Sequence, residues 1–308
     1  MVKIKKNVSL RKNTTFNIGG KAKYFAEIFN AEELKKVLFW AEEKKLPVFI
    51  LGGGSNILFP DNGYKGIVVK ISNKEAVFEK NKVIVGAGLL LLKLVLLTKE
   101  KSLSGLEWAA GIPGTVGGAI FGNAGAFGGE MKDSIKEVLA LDKKTKKEKV
   151  FKNKECSFSY RNSIFKIKKR HIIISATFEF KKGNRKKMLT EIKKNISYRK
   201  ENHPLEYPSA GSIFKNQKIN KKTEKLFEKY PEFKKFKKRG EIPAAFLVEK
   251  CKLPGKKIGG AQISKKHTNF IINKKSAKAK DVILLINFTK KKIKKEFNIN
   301  LKEEIIFL

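Results

Sequence analysis

The sequence contains few of the residues that build metal sites, disulfide frameworks and membrane spans. Among 308 residues there are two cysteines, Cys156 and Cys251, and three histidines. Two cysteines give no disulfide framework and fit a reducing compartment, and the histidines are not clustered with acidic or thiol partners, so we predict no metal site. The N-terminus carries charge without the apolar run of a signal peptide. The longest apolar run, residues 89–97, is broken by Lys93 and is too short to cross a bilayer. These absences predict a cytoplasmic protein.

Acidic residues are also scarce, since 29 Asp and Glu face 69 Lys and Arg, and the formal net charge is +40. Such a charge can favour binding to nucleic acid or to an anionic membrane. However, the lysines are spread along the chain, and no RNA-type aromatic motif or zinc-finger spacing accompanies them. We interpret most of the charge as a composition bias toward Lys, Ile, Asn and Phe, with a secondary attraction for acidic ligands. A nucleic-acid-binding protein on a non-catalytic fold stays open as an alternative.

Glycine, in contrast, is concentrated in two segments that contain no Lys or Arg. Nine of the 24 glycines lie within residues 105–130, and residues 51–56 read LGGGSN. Glycine permits positive φ and lets a ligand approach the backbone, and successive free N–H groups in such turns bind phosphate. Large apolar residues are interleaved with these glycines, which is not typical of a flexible linker. The two segments therefore predict a large phosphorylated ligand, such as a dinucleotide cofactor, that contacts the chain at several points.

The hydrophobic pattern predicts a β–α–β start. In residues 30–46 apolar side chains recur at i, i+3, i+4 and i+7, which indicates a helix. Asn30 is a suitable N-cap, Glu33 stands where a capping box needs it, and Pro47 ends the helix. Further helices are predicted at residues 187–201 and 277–297. Strands are predicted at residues 48–51, 66–71, 82–85, 137–141, 156–160 and 172–180.

The usual dinucleotide fingerprint, G-x-G-x-x-G opening a helix, is not convincingly present. The segment GGGSN is followed by Ile57, Leu58, Phe59 and Pro60. This continuation predicts a turn and a strand rather than a helix. We therefore expect the phosphate site to lie in an architecture other than a Rossmann fold.

Nine segments in order resemble the UDP-N-acetylenolpyruvoylglucosamine reductase family, and the similarity runs almost from end to end. Each segment is moderately specific, and the ordered set is very specific. The segments are NTTFNIGGKA at 13–22, LGGGSN at 51–56, GLEWAAGIPGTVGGA at 105–119, GNAGAFGGE at 122–130, FSYRNS at 158–163, EYPSAGSIFKN at 206–216, GGAQIS and HTNF at 259–264 and 267–270, and LKEE at 301–304. The short EYPSAGS region looks like the shorter of the family's two subtypes.

The resemblance implies an α+β fold. A two-lobed FAD-binding region of the vanillyl-alcohol-oxidase (PCMH) type would be followed by an α/β substrate-binding domain. We place the boundary near residues 181–185, which gives an FAD-binding region at 1–185 and a substrate-binding domain at 186–308. The implied activity is NADPH-dependent reduction of the enolpyruvyl group of UDP-N-acetylglucosamine enolpyruvate to UDP-N-acetylmuramate for peptidoglycan synthesis. FAD is the cofactor, bound non-covalently because no histidine lies in either glycine segment, and NADPH is the co-substrate. The partner is the UDP-sugar, with no stable nucleic acid or membrane, and the protein is expected to be monomeric or weakly associating.

The same resemblance assigns three catalytic residues. Arg161, in FSYRNS, matches the family's catalytic arginine, and a guanidinium grips a carboxylate with two bonds and keeps its charge. Ser212, in SAGSIFKN, matches the proton donor. Glu304, in LKEE, matches the second catalytic acid. The neighbouring Glu303 could be mistaken for it. A carboxylate beside developing negative charge must be protonated or paired with a cation, so we expect one of these for Glu304, with Arg161 as the paired cation. The family commonly has arginine where this chain has Ile306.

Binding residues complete the expected site. Arg199 matches a family arginine near the flavin, and the glycine segments are assigned to the FAD pyrophosphate. The cofactor-binding set is Gly52, Gly53, Gly54, Ser55, Asn56, Gly111, Gly114, Thr115, Gly117, Gly118 and Arg199. The substrate-binding set is Tyr160, Lys215, Asn216 and His267. An FAD-dependent oxidase of the same superfamily, acting on a sugar or alcohol, is the second alternative, and the catalytic trio argues against it.

Overall fold

The computed structural model describes residues 2–308, apart from the side chain of Lys222. The chain forms two compact units, and each is discontinuous in sequence. Unit 1 comprises residues 2–8, Ala22–Gly54 and Tyr64–Glu201, and unit 2 comprises Ser9–Lys21, Ser55–Gly63 and Asn202–Leu308. These compact units are divided differently from the predicted domains, because residues 186–201 belong to unit 1 and two short early segments belong to unit 2. The functional division at 185/186 stays a prediction.

The helices and strands are numbered in chain order over the described residues. The α-helices are α1 (Ala31–Glu43), α2 (Leu91–Glu100), α3 (Val116–Phe121), α4 (Ile164–Lys168), α5 (Arg185–Asn202), α6 (Lys221–Glu224), α7 (Leu226–Lys229), α8 (Ala244–Lys250) and α9 (Ala279–Phe297). The strands are β1 (Ile4–Ser9), β2 (Lys21–Ile28), β3 (Val48–Leu51), β4 (Ile57–Leu58), β5 (Tyr64–Ile71), β6 (Ala76–Glu79), β7 (Lys82–Gly86), β8 (Leu103–Ser104), β9 (Gly125–Ala126), β10 (Gly129–Glu130), β11 (Ile135–Asp142), β12 (Glu148–Lys152), β13 (His171–Glu179), β14 (Lys181–Lys182), β15 (Ser209–Ser212), β16 (Gln217–Lys218), β17 (Glu241–Ile242), β18 (Lys257–Ile258), β19 (Ala261–Ile263), β20 (Phe270–Asn273) and β21 (Ile306–Phe307). None of these helices combines the length and apolar character that a membrane crossing requires.

Unit 1 is built on two sheets. The first has the order β1-β2-β5-β3, in which β5 pairs in parallel with both β2 and β3. The second is antiparallel, with the order β12-β11-β13-β7-β6. Side chains from both sheets, from α1 and from α2 share one apolar core that also includes Trp108 and Ile192. The mixed helix and sheet content agrees with the expected α+β class.

Helix α1 confirms the predicted β–α–β start, with one local difference. The Asn30 side chain accepts a hydrogen bond from the Glu33 backbone N–H at 2.9 Å, as an N-cap should. The Glu33 carboxylate, however, accepts from the N–H of Phe29 at 2.7 Å and not from that of Asn30. The predicted capping box is therefore displaced by one residue, because the extended backbone at Asn30 presents the preceding N–H to the carboxylate.

The strand predicted at residues 156–160 is wrong. Residues Asn153–Cys156 form a 3-10 helix, and Ser157 has a φ of 45°. The chain then forms a two-residue turn closed by the Ser159 and Asn162 backbones, which exchange hydrogen bonds of 3.1 and 3.0 Å. The alternating pattern misled because Cys156 is buried by the 3-10 helix packing under β11 and β12 rather than by a sheet register.

Unit 2 is built on one antiparallel sheet covered by α9. The sheet has the order β15-β20-β19-β18. The apolar face of α9, from Val282 to Phe297, is buried with residues of α8 and of the sheet in a separate core. The segment after LGGGSN is a strand, β4, as predicted, and it pairs in parallel with β21 at the end of the chain. Ile306 and Phe307, near the end of the sequence, therefore lie against Ile57 and Leu58, which follow the LGGGSN motif.

Candidate active site

The two glycine segments meet within unit 1. A Cβ added to Gly53 would lie 2.8 Å from the Cα of Gly114, and one added to Gly52 would lie 2.7 Å from Oγ1 of Thr115. Real Cβ atoms do not come so close to backbone atoms, so glycine is required at position 53, whereas a Cβ at position 52 would displace the Thr115 side chain. The folded chain therefore brings together two segments that are separated by about fifty residues in sequence, as the prediction of one shared ligand requires.

The contact between these segments presents several backbone donors. Within the described residues, the N–H groups of Gly52, Gly53, Gly114 and Thr115 donate to no protein acceptor. Gly114 has a φ of 116°, which turns the backbone as a phosphate nest needs. Clustered N–H groups in a cradle that a Cβ would fill suit a pyrophosphate. This part of unit 1 fits the FAD that the sequence predicts.

Two of the predicted cofactor residues use their N–H groups inside the protein. Gly117 N–H donates to the carbonyl of Ala87 at 2.8 Å, and Gly118 N–H donates to Oγ1 of Thr115 at 3.4 Å, which caps α3. A Cβ on Gly117 would lie 2.7 Å from that of Ala87. Gly117 is therefore explained by packing between α3 and the strand end, and the donors for a phosphate come from the residues before it.

Arg199 lies against the second glycine segment. Its Nε donates to the carbonyl of Ala110 at 3.1 Å, and a Cβ on Gly111 would lie 2.7 Å from its Cδ. The guanidinium also stands 5.2 Å from the ring centroid of Phe127. Burial lowers the pKa of Arg199, and the nearby charge of Arg161 lowers it further. The structure thus places both predicted arginines of unit 1 in one positively charged region beside the glycines.

Arg161 occupies the corner of the turn between Ser159 and Asn162. Its φ is 54°, a left-handed conformation that costs a non-glycine residue about 1 kcal/mol or more. Its Nη2 donates to the carbonyl of Gly125 at 2.9 Å, and its guanidinium lies 5.4 Å from the ring centroid of the predicted substrate residue Tyr160. The turn and the bond to Gly125 together hold the Arg161 guanidinium near the Tyr160 ring.

Two buried polar side chains that the sequence reasoning did not select hold this turn in place. The Asn123 amide donates to the carbonyl of Ser159 at 3.1 Å and to the Glu130 carboxylate at 2.7 Å. The Ser163 hydroxyl donates to the carbonyl of Phe121 at 2.8 Å. Both residues are fully buried. The available signal was their place inside the segments GNAGAFGGE and FSYRNS, although composition alone gives no reason to choose them.

In unit 2, Ser212 ends strand β15 opposite Phe270. The ladder is irregular between Ser209 and Ser212, and Gly211 has a φ of 75°. Such an irregularity re-aims a side chain at the edge of a sheet. The neighbours Ala210 and Ile213 are buried, whereas Ser212 is half-buried. The hydroxyl is therefore carried by the last residue of a strand.

The segment that carries Glu304 pairs with the residues that follow Ser212. Glu304 N–H donates to the carbonyl of Ile213 at 2.8 Å, and Lys215 N–H donates to the carbonyl of Lys302 at 2.9 Å. The neighbouring acid Glu303 forms an ion pair with Lys290 at 2.7 Å. The structure therefore brings Ser212, Lys215 and Glu304 together in unit 2, and it gives Glu303 a different partner.

Asn216 has partners on both sides of its amide. Its Nδ2 donates to the Glu241 carboxylate at 2.7 Å, and its Oδ1 accepts from the N–H of Ala244 at 3.1 Å, the first residue of α8. Arg239 binds the same Glu241 carboxylate at 3.1 Å. These contacts make Asn216 a connection between the β15 region and α8, and its predicted role as a substrate contact stays a prediction.

His267 is packed between rings beside strand β20. Its imidazole lies 5.0 Å from that of His203 and 4.7 Å from the ring of Phe270, both edge to face. Within the described residues, its buried Nδ1 has no hydrogen-bond partner. Burial lowers the pKa of His267 below 6.5. The packing explains this histidine structurally, and its predicted substrate contact stays a prediction.

The stability of the protein is expected to fall as the pH is lowered below about 6.5. Burial lowers the pKa of His267 and of His171 in the folded state, so the unfolded state binds protons first. The stability from the neutral rings is therefore present above pH 6.5 and is lost as the pH falls through the folded pKa values. Melting temperatures between pH 7.5 and 5.5 should decline less steeply in His267→Gln, and least in the double variant with His171→Gln. An unchanged slope in His267→Gln would contradict this.

The remaining predicted cofactor residues fall on the junction between the units. The chain passes from unit 1 to unit 2 between Gly54 and Ser55. Gly54 has a φ of 66° and is buried. Asn56 belongs to unit 2, where its amide donates to the carbonyl of Glu304 at 3.1 Å. The motif LGGGSN thus has glycines in the cradle of unit 1 and an asparagine bound to the segment of unit 2 that carries Glu304.

Comparisons with known proteins cover nearly the whole chain. A model described as "FAD binding domain" matches residues 22–147, and one described as "UDP-N-acetylenolpyruvoylglucosamine reductase, C-terminal domain" matches residues 203–308. The reductase of that name from Anoxybacillus flavithermus is 38% identical over 304 residues, 98% of this chain and 93% of the relative. The one from Clostridium novyi is 39% identical over 303 residues, 98% of this chain and 91% of the relative. A crystal structure of the reductase from Thermus caldophilus has a TM-score of 0.78 at 29% identity, covering 100% of this chain and 98% of the other.

Proposed function

Because this chain belongs to the UDP-N-acetylenolpyruvoylglucosamine reductase family, we propose that it reduces the enolpyruvyl group of UDP-N-acetylglucosamine enolpyruvate to give UDP-N-acetylmuramate. It is an FAD-containing oxidoreductase that uses NADPH and acts in peptidoglycan synthesis. The observation that carries this conclusion is 38% identity over 98% of the chain. The glycine cradle of unit 1, whose N–H groups donate to no protein acceptor among the described residues, supports it.

The reaction adds a hydride and a proton across the enol double bond. A bound FAD, once reduced by NADPH, would supply a hydride for the terminal carbon of that bond. Negative charge then develops at the adjacent carbon and spreads into the substrate carboxylate. The protein must offer a fixed cation to this charge and a proton to the adjacent carbon. Gly52, Gly53, Gly114 and Thr115 are proposed to hold the cofactor pyrophosphate through their N–H groups.

Arg161 is proposed to bind the substrate carboxylate. A guanidinium keeps its charge at all relevant pH values and matches the geometry of a carboxylate with paired N–H donors. The bond to Gly125 and the closed turn fix its position before charge develops. Such preorganisation lowers the barrier because no reorientation is needed during the reaction. Arg199 contributes further positive charge in the same unit and supports the flavin side of the region.

Ser212 is proposed to deliver the proton to the carbon adjacent to the carboxylate. A serine hydroxyl is a weak acid, so it serves only when the carbanion is very basic and a neighbouring group restores its proton. The pairing of Ile213 with Glu304 places the backbone of a second acid one residue away from Ser212. We propose that Glu304 assists this proton delivery. Tyr160, Lys215, Asn216 and His267 are proposed to contact the substrate.

Glu304→Gln is expected to slow the oxidation of reduced enzyme by the enolpyruvyl sugar about 100-fold, the lower range for loss of a general acid or base. The matched control is Glu303→Gln, because Glu303 is paired with Lys290. This variant should keep the rate within about twofold of the wild type. Stopped-flow absorbance of the flavin under anaerobic conditions measures both. Full turnover of Glu304→Gln at an unchanged pH optimum would remove Glu304 from the mechanism.

The activity itself is tested on the purified protein without oxygen. NADPH is added to reduce the bound FAD, and the enolpyruvyl sugar follows. Return of the oxidised flavin spectrum on addition of the sugar is the expected result. A flavin that stays reduced until oxygen is admitted would favour the oxidase alternative. A colourless protein that binds DNA or RNA tightly would favour the nucleic-acid alternative.

We also propose that the protein works in the cytoplasm as a monomer or a weakly associating species, without nucleic acid or membrane as a stable partner. Both cysteines are free thiols, which fits a reducing compartment. Burial raises the pKa of Cys156 to about 12 and that of Cys251 to about 11. Neither thiol is therefore suited to nucleophilic chemistry. The positive charge of the chain would draw the acidic UDP-sugar toward the protein.

A further inference from the structure

The contacts of Asn56 support a role other than the cofactor binding that the sequence predicted for it. Its Nδ2 donates to the carbonyl of Glu304 at 3.1 Å, and its own carbonyl accepts from the N–H of Ile306 at 3.1 Å. The side chain and the backbone of one residue therefore hold both sides of a three-residue stretch. Beyond it, Ile306 and Phe307 pair in parallel with Ile57 and Leu58.

The backbone of Glu304 is fixed from two directions. Its N–H donates to the carbonyl of Ile213, the residue after Ser212, at 2.8 Å. Its carbonyl accepts from Asn56. The flanking residues Leu301 and Ile305 are buried in the core of unit 2, whereas Glu304 is half-buried. The two hydrogen bonds set where the backbone of Glu304 lies.

Asn56 supplies a large share of the hydrogen bonds that hold the segment from Glu304 to Phe307, because strand β21 is short. It comprises only two residues, so its pairing with β4 supplies few ladder bonds. A short strand opens easily, since each remaining bond carries a greater share of the local stability. Removal of the Asn56 amide would leave the buried end of this ladder without its side-chain support.

We propose that Asn56 is a positioning residue for Glu304 rather than a ligand of the FAD pyrophosphate. This proposal rests on the catalytic role proposed for Glu304. In this arrangement the motif LGGGSN has two tasks. Its glycines serve the cofactor cradle of unit 1, and its asparagine orients the acid in unit 2 that serves the reduction of the sugar. Loss of Asn56 should therefore affect the second half of the reaction and not the first.

The test uses Asn56→Ala in the FAD-loaded enzyme, with Asn273→Ala as matched control. Asn273 is also an asparagine of unit 2 that donates to a backbone carbonyl, that of Phe16 at 3.2 Å, away from Glu304. In Asn56→Ala, amide hydrogen exchange at Glu304 and Ile306 should become at least about tenfold faster, as for local opening. Reduction of the bound FAD by NADPH should stay within about twofold. Reoxidation by the enolpyruvyl sugar should slow about tenfold, as for a misplaced catalytic group.

A double variant makes the assignment specific. If Asn56 acts through Glu304, Asn56→Ala with Glu304→Gln should be no slower than Glu304→Gln alone. Where Asn56→Ala does not fold, Asn56→Leu keeps the shape of the side chain without its donor and takes its place. Asn273→Ala should leave exchange at Glu304 and Ile306 as in the wild type.

Two results would overturn the proposal. Weakened FAD retention with unchanged exchange at Glu304 and Ile306 would return Asn56 to the cofactor, even if Glu304→Gln is slow. A fully active Glu304→Gln would instead remove the proposed role of Glu304, and the proposal would fall with it. The single variant Glu304→Gln therefore tells which of the two hypotheses has failed.

Discussion

Arg161→Asn is expected to slow the oxidation of the reduced enzyme by the enolpyruvyl sugar by about 10²- to 10³-fold, the range found when one preorganised charge-stabilising donor is removed. The backbone φ of Arg161 is 54°. Asparagine tolerates this left-handed conformation better than most residues, so the turn should be retained. The free energy of unfolding should stay within about 3 kcal/mol of the wild type, the upper range for the lost charged hydrogen bond to Gly125.

The effect of Arg161→Asn should be confined to one half of the reaction. Reduction of the bound FAD by NADPH involves no carboxylate of the sugar, so its rate should be nearly unchanged. Arg161→Lys keeps the charge but loses the paired donors, and it should fall between the wild type and Arg161→Asn. Arg185→Asn is the matched control, because Arg185 is an exposed arginine of the same unit at the start of α5. Anaerobic stopped-flow absorbance separates the two half-reactions.

The outcome that would count against Arg161 is a slow reduction by NADPH together with a normal oxidation by the sugar. Such a pattern would place the arginine near the nicotinamide and not near the substrate carboxylate. Equal slowing in Arg161→Asn and Arg185→Asn would attribute the loss to the net charge of the protein. Since steering by net charge depends on ionic strength, repeating the measurement at high salt distinguishes that case.

Gly53→Val is expected to yield protein without bound flavin. A Cβ at this position would lie 2.8 Å from the Cα of Gly114 and 3.2 Å from the N of Thr115, so the two glycine segments must separate. The donors of the cradle would then no longer converge. Loss of two hydrogen bonds to charged groups costs about 3–6 kcal/mol. The dissociation constant for FAD should therefore rise at least about 100-fold.

The structure shows that this substitution also strains the protein itself, so folding must be measured beside flavin retention. Gly122→Ala is the matched control in the same glycine-rich segment. A Cβ there would lie 3.7 Å from the carbonyl of Gly118, an ordinary contact, and its φ is −93°. Gly122→Ala should keep its FAD. Circular dichroism and titration of the apoprotein with FAD separate an unfolded protein from a folded one that cannot bind. A folded, fully yellow Gly53→Val protein would remove the cradle from the cofactor site.

Much of the fold was predictable because the relevant signals are local. The spacing of apolar residues predicted α1 and α9, and helix α5 and strands β3, β5, β7, β11 and β13 also lie where the sequence indicates them. The strand expected at residues 156–160 failed because burial of Cys156 has the same sequence appearance in a strand and in a 3-10 helix. Periodicity reports which side chains are buried, but over four or five residues it does not report by which backbone conformation.

The candidate site was predictable by a different route. The resemblance of ordered motifs to a known family selected Arg161, Ser212 and Glu304, and their catalytic roles stay predictions. The supporting residues Asn123 and Ser163 were not selected, since a buried asparagine or serine looks like any other polar residue until its partners are known. Their hydrogen bonds to Ser159 and Phe121 connect segments almost forty residues apart, and no local pattern encodes such a connection.

The sequence by itself determined the family and the cofactor class, because these depend on which side chains are present and in what order; the catalytic residues that it selects stay a prediction. Only the tertiary structure decided how the motif LGGGSN is used. The close approach of Gly114 requires glycine at position 53, and the Asn56 side chain is hydrogen-bonded to Glu304, 248 positions away. The physical reason is that a hydrogen bond or a steric contact depends on distance in space. A sequence motif states which groups are available to bind, and the fold determines what each of them reaches.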